Sequence, residues 1–183
     1  ELRTPLVVCK RIQWSRDNAF YRNLVASLLD EYFLKKGKYT VSHVPVPLGW
    51  FEDGHFYIYV EGAEGFPWEN PTFGKIQMEE WNEFLGLFNN AGIWLGRDVS
   101  DPNDGRTGKN VILKYTTEEL NFTGRLPKAW KRIDFGYRSL ILDIEKLNQF
   151  FQVNNGNLKK QLGWELELLE LSILRLSGEF SEE

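Results

Sequence analysis

The sequence predicts an α+β fold: a small sheet carrying one helix, followed by a mainly helical part. Three observations carry that expectation. Strand-like runs cluster in the first third of the chain, with a single helical-period segment between them. Apolar residues recur at helical spacing from Met78 onward and again near the C-terminus. Two short β-branched runs, Val111–Tyr115 and Trp130–Ile133, interrupt the helical part.

Taken in order, Leu6–Ile12 is apolar and β-branched, as a strand requires. Ser15 and Asp17 offer N-cap oxygens for a helix on which Phe20, Leu24, Leu28 and Tyr32 recur, and Gly37 suits its C-terminal cap. HVPVPLGWFEDGHFYIYVEG divides into two strands around Glu52-Asp53-Gly54. Glu61–Thr72 holds two glycines and two prolines and is expected to connect rather than pack as a helix. Trp81, Leu85 and Phe88, widened by Phe84 and Leu87, make one helical face. Asp98–Lys109 is rich in Gly, Asp and Asn, a loop composition. Leu140–Phe151 is expected to be helical. A last helix is expected from about Leu158, with Leu162, Leu166, Leu169, Ile173 and Leu176 as its seam. Leu168, Leu171 and Leu174 broaden that seam, which calls for burial in the domain or against a protein partner.

Composition narrows the function classes. The chain has 183 residues, 42% of them hydrophobic, enough for a sizeable core. A net charge of −4 argues against a broad nucleic-acid surface. Cys9 alone builds neither a disulfide framework nor a thiolate metal site, and His43 and His55 add no zinc motif. No apolar run reaches the length of a membrane span, so a cytoplasmic protein with no membrane partner is the expectation.

Four short strings carry chemistry. Lys10 sits at the end of VVCKR, a strand position from which an ammonium can reach phosphate oxygens; most strand lysines, however, simply stay in solvent. Gly96-Arg97-Asp98 follows an amphipathic helix and offers a carboxylate to a hydroxyl. Asp101 and Asp104 are rivals for that role, and all three also suit plain turn chemistry. Asn110 opens NVIL, and Asp134-Phe135-Gly136 closes the strand-like WKRID, giving an amide and a carboxylate as oxygen ligands.

In this order the strings resemble the protein-kinase-like superfamily, and specifically its atypical small members of the aminoglycoside-phosphotransferase and sugar-kinase kind. The resemblance runs from about Leu6 to Ile144 and lives in the motifs. It implies a small partial N-lobe over residues 1–63 and a reduced, mainly helical C-lobe over 64–183. It implies ATP and Mg²⁺ as cofactors and a small-molecule or sugar hydroxyl as acceptor. By the same resemblance Lys10 holds phosphates, Val60, Glu61 and Ala63 lie along the adenine, Asn110 and Asp134 bind the metal, and Asp98 acts as base.

The chain departs from that pattern in four ways. Gly96 replaces the usual His, and no Gly-rich loop precedes Lys10. Asp98 and Asn110 are twelve positions apart rather than about five. The helix after Lys10 carries Asn23 where many small-molecule kinases carry a glutamate. These departures fit a truncated or degenerate member, so an inactive pseudokinase that binds nucleotide or protein is the alternative expectation. An unrelated α+β adaptor is a third.

Overall fold

The computed structural model describes residues 6–11, 16–51, 56–61, 65–67, 75–95, 111–114, 129–132 and 140–178, with side chains over 19–49, 79–95 and 140–178. The architecture is α+β. Its elements are β1 (Leu6–Arg11), α1 (Arg16–Lys35), β2 (Val46–Phe51), β3 (Phe56–Glu61), β4 (Gly65–Pro67), α2 (Lys75–Asn90), β5 (Ile93–Leu95), β6 (Val111–Lys114), β7 (Ala129–Arg132), β8 (Leu140–Leu142), α3 (Ile144–Leu162) and α4 (Glu165–Leu176).

The first sheet is antiparallel with strand order β1-β3-β2. Pro47 is tolerated because β2 is an edge strand, and the register shift between Pro47 and Gly49 leaves Leu48 out of the pairing and 56% exposed. A second antiparallel sheet, β4-β6-β7, also keeps its proline, Pro67, on an edge. The third is the two-stranded pair β5-β8.

α1 is the centre of the packing. It contacts β2 and β3 as well as α3 and α4. Burial therefore extends well beyond the expected stripe. Leu28 and Tyr32 are buried as expected, but so are Ala19, Val25, Ala26, Leu29 and Phe33. Phe33 meets Phe88 of α2 at 5.6 Å and Phe150 of α3 at 6.3 Å between ring centroids. One apolar cluster joins α1 to Trp81, Phe84 and Phe88 of α2, Leu147 and Leu158 of α3, and Leu166 and Leu169 of α4. The α2 face thus centres on Trp81, Phe84 and Phe88, with Leu85 and Leu87 at its margin.

The end of α1 has the expected glycine. Gly37 has φ +69°, its N–H donates to the Leu34 carbonyl at 2.9 Å, and the Lys38 N–H reaches the Phe33 carbonyl at 3.0 Å. This is a Schellman cap, which satisfies carbonyls the helix leaves open. At the other end Asp17 lies within the first turn, and Ser15 is outside the described residues.

Two expectations are corrected and a third is refined. Leu140–Leu142 is a strand, β8, rather than the start of a helix; short apolar runs do not distinguish the two states, and here pairing with β5 decides. The following helix starts at Ile144 because Asp143 caps it, accepting the Lys146 N–H at 3.1 Å. No single helix runs on from Leu158: α3 ends at Leu162, Gly163 turns with φ +58°, and α4 begins at Glu165. The third concerns Glu61–Thr72, which contains the short strand β4.

A second glycine is required by space as well as by conformation. Gly92 has φ +86°, and a Cβ there would lie 2.6 Å from the Leu147 nitrogen and 2.8 Å from the Asp143 oxygen. Its carbonyl accepts the Asp143 N–H at 2.8 Å, which joins the α2–β5 turn to the first turn of α3. Gly92→Ala is expected to cost about 3 kcal/mol or more, since backbone atoms cannot yield as a side chain would. Urea unfolding measures it, and a loss under about 1 kcal/mol would contradict this account.

Candidate functional site

Of the candidate residues named from sequence, Lys10, Val60 and Glu61 lie in described strands. Lys10 lies in β1 opposite Tyr57 of β3, while Val60 and Glu61 sit at the far end of β3, opposite Val7 and Leu6. Ala63, Asp98, Asn110 and Asp134 lie outside the described residues, as do the rivals Asp101 and Asp104. The strand ends that flank them are described, and they are paired. Val111, one residue after Asn110, pairs with Arg132, two residues before Asp134. Leu95, three residues before Asp98, pairs with Leu140, where the chain returns after Asp134. Two connections, 96–110 and 133–139, therefore start and finish at neighbouring points, and between them they carry Asp98 with its rivals Asp101 and Asp104, Asn110 and Asp134.

Asn23, at the helix position where the resemblance wants a carboxylate, is fully buried. Among the described residues, neither its Oδ1 nor its Nδ2 has a hydrogen-bond partner. A buried amide with nothing to bond to costs free energy and calls for an explanation. Glu31, later on the same helix, pairs with Lys35 at 2.5 Å, and Lys35 Nζ also donates to the Gln161 carbonyl at 3.0 Å. Glu31 thus serves the contact of α1 with the α3–α4 corner.

The most developed polar cluster was not legible in the sequence. Asp30 is 2% exposed in the middle of α1. Tyr39 Oη donates to its Oδ1 and Ser42 Oγ to its Oδ2, each at 2.6 Å, and the His43 N–H lies 3.2 and 3.1 Å from the two oxygens. Burial raises the carboxyl above its ordinary value, while the bonds from Ser42, Tyr39 and the backbone of His43 and Val44 pull it back. Tyr39 is pushed up as well, by burial first and by the neighbouring Asp30 charge second. The one available signal was position: Asp30 lies four residues after Ala26 and three before Phe33, on a buried face.

His43 itself is buried, its ring 4.7 Å from that of Tyr39 and 5.7 Å from that of Phe84, as befits a structural histidine. Beside it a cleft of about 230 Å³ is lined by Lys38, Tyr39, His43, Glu80 and Glu83. A wider apolar groove of about 390 Å³ lies between Arg22, β8 and Leu176. Among the described residues, neither is lined by a candidate phosphate, metal or base residue. Among the described residues no group of three or more His, Cys, Asp or Glu is placed to hold a metal, and no helix is long and apolar enough to cross a membrane.

Compared with family models, curated proteins and solved structures, the chain matches none.

Two stability outcomes follow from the buried polar groups. Asp30→Ala should cost about 3 kcal/mol, because it strands a backbone N–H and two hydroxyls. With Asp30→Asn as reference, the sign with pH is set by the raised carboxyl. The folded chain holds that proton more tightly than the unfolded one, so the stability due to Asp30 is fullest below 3.8 and falls as pH rises through the folded value. Denaturant titrations of both proteins across that range check it, and a rise instead of a fall would refute it. Asn23→Leu should stabilise by about 1–2 kcal/mol, since it removes two unpaired polar atoms and suits a helix better. A destabilised variant in thermal melts would show that the amide has a partner after all.

Proposed function

We propose that the chain is a kinase-like phosphotransferase, moving the γ-phosphoryl group of ATP to a hydroxyl of a small molecule or sugar. The observation that carries this reading is the pairing of strand ends, Val111 with Arg132 and Leu95 with Leu140. It makes neighbours of the ends of the two connections on which Asp98, Asn110 and Asp134 lie. A phosphoryl-transfer site needs just these types together: a carboxylate for the accepting hydroxyl and an amide and a carboxylate beside the phosphates. The order of elements supports the finer reading of the fold as protein-kinase-like, because the strand bearing Lys10 leads directly into α1.

In this reading Lys10 supplies a cation to the phosphate oxygens, and Val60, Glu61 and Ala63 border the adenine. Asn110 and Asp134 offer the hard oxygen donors that Mg²⁺ takes, and the bound ion would neutralise phosphate charge. Asp98 orients the acceptor hydroxyl and receives its proton as the oxygen bonds to phosphorus. The bond from phosphorus to the bridging oxygen of ADP breaks in the same step. Positioning is most of what the protein contributes.

Asn23 favours a second reading, a pseudokinase that binds nucleotide or protein without turnover. An amide cannot form the lysine–glutamate ion pair on which kinase activity depends. An unrelated adaptor would bind no nucleotide.

Mg²⁺-ATP should raise the melting temperature, because a ligand of the native state alone shifts the folding equilibrium. Asp134→Asn should abolish that shift. Asp98→Ala should keep it while lowering phosphate transfer to sugars or aminoglycosides by about 10²–10⁴-fold, the range for a general base. A shift without transfer selects the pseudokinase. No shift in the wild-type chain, with Asp134→Asn melting identically, overturns both nucleotide readings.

A further inference from the structure

α4 begins without a side-chain cap. Trp164, its N-cap residue, makes no such bond, and the Leu166 N–H reaches the Gly163 carbonyl at 3.2 Å. Below this turn Leu166 and Leu169 are buried in the core, and beside it stands a group of three charged side chains. Lys35 of α1 pairs with Glu31 at 2.5 Å and donates to the Gln161 carbonyl, in the last turn of α3, at 3.0 Å. Glu165, the first residue of α4, brings its carboxyl within hydrogen-bond reach of Glu31. Its Oε2 is closed off from water and, among the described residues, has no partner. Two carboxyls thus meet at one ammonium. If both are ionised they repel, and a buried carboxylate oxygen without a donor is costly. A neutral Glu165 removes both faults, because its hydroxyl donates to the Glu31 carboxylate and leaves Oε2 as a weaker carbonyl acceptor.

We propose that Glu165, Glu31 and Lys35 form a proton-operated latch between α1 and the α3–α4 corner, closed while Glu165 carries its proton and loosened when the proton is lost. Gly163, with φ +58°, is the joint at which α4 moves against α3. Each element packed at the corner brings its own groups to Glu165. From α1, the Glu31 charge opposes ionisation and Lys35 favours it. α3 contributes the Gln161 carbonyl, with Lys159 and Lys160 in the same last turn. On α4 itself Glu167 shares the first turn, whose open N–H groups favour the ionised form. Burial is the largest influence and Glu31 the next, so the Glu165 carboxyl is raised above its ordinary 4.5. The folded chain then holds this proton more tightly than the unfolded one. The latch is fully closed below 4.5 and opens as pH rises through the folded value.

Hydrogen–deuterium exchange on the whole chain tests the latch. Protection over 164–170 is read against protection over 81–90 of α2, because Asp30 titrates as well. From about pH 4 to about pH 8 the wild-type ratio should fall, after correction for intrinsic exchange rates. Glu165→Gln keeps a donor toward Glu31 at every pH, so its ratio should hold at the acid level. Glu31→Gln removes the repelling charge, so the fall should move to lower pH. A wild-type ratio that stays flat or rises, or an equal fall in Glu165→Gln, overturns the latch. A fall that Glu31→Gln leaves in place overturns the pairing of Glu165 with Glu31.

Discussion

The fold depends on the near-complete burial of α1. This helix lies between the β1-β3-β2 sheet and the helices α3 and α4, so little of its surface is left for water. That explains its composition, in which alanines, leucines and aromatics go round the helix instead of keeping to one side. It also makes every polar group on the helix a test of the surroundings. Asp30 meets the test by gathering Tyr39, Ser42 and the His43 N–H, and in doing so it fixes the chain between the end of α1 and the start of β2. Asn23, two turns earlier, does not meet it.

The contrast between these two residues bears on function. A satisfied carboxylate in a dense hydrogen-bonded cluster rigidifies its neighbourhood, whereas an unsatisfied amide stores a cost that stability alone does not justify. Asp30 is therefore part of the frame. Asn23 stands at the helix position where the kinase-like resemblance expects a glutamate, and an amide cannot form the ion pair that the proposed reading would call for there.

Much of the fold was legible because it followed from periodicity and backbone chemistry. The C-terminal end of α1 with its Gly37 cap, the β2 and β3 hairpin strands and the aromatic face of α2 all came from local pattern. What was not legible depended on tertiary pairing. Leu140–Leu142 satisfies a helical pattern as well as a strand pattern, and only β5 decides between them. The leucine repeat passes through Gly163 without a break in phase, although the backbone turns there. The Asp30 cluster joins residues of ordinary polar types up to thirteen positions apart, and no spacing rule singles it out. The candidate site rests on motif residues, to which the structure adds the pairing of the strand ends around them.

Those paired ends change the meaning of the long interval between Asp98 and Asn110. Because β5 is anchored on β8 and β6 on β7, the connection between them closes a gap whose ends are fixed by other contacts. The cost of closing such a loop grows only with the logarithm of its length. Going from a spacing of about five to one of about twelve adds little more than one doubling, or about 0.6–1 kcal/mol. Chain entropy is thus a weak judge of spacing here. Extra residues can be carried between two pinned strands with hardly any effect on stability, and such a connection is where sequences can lengthen while the scaffold keeps its register.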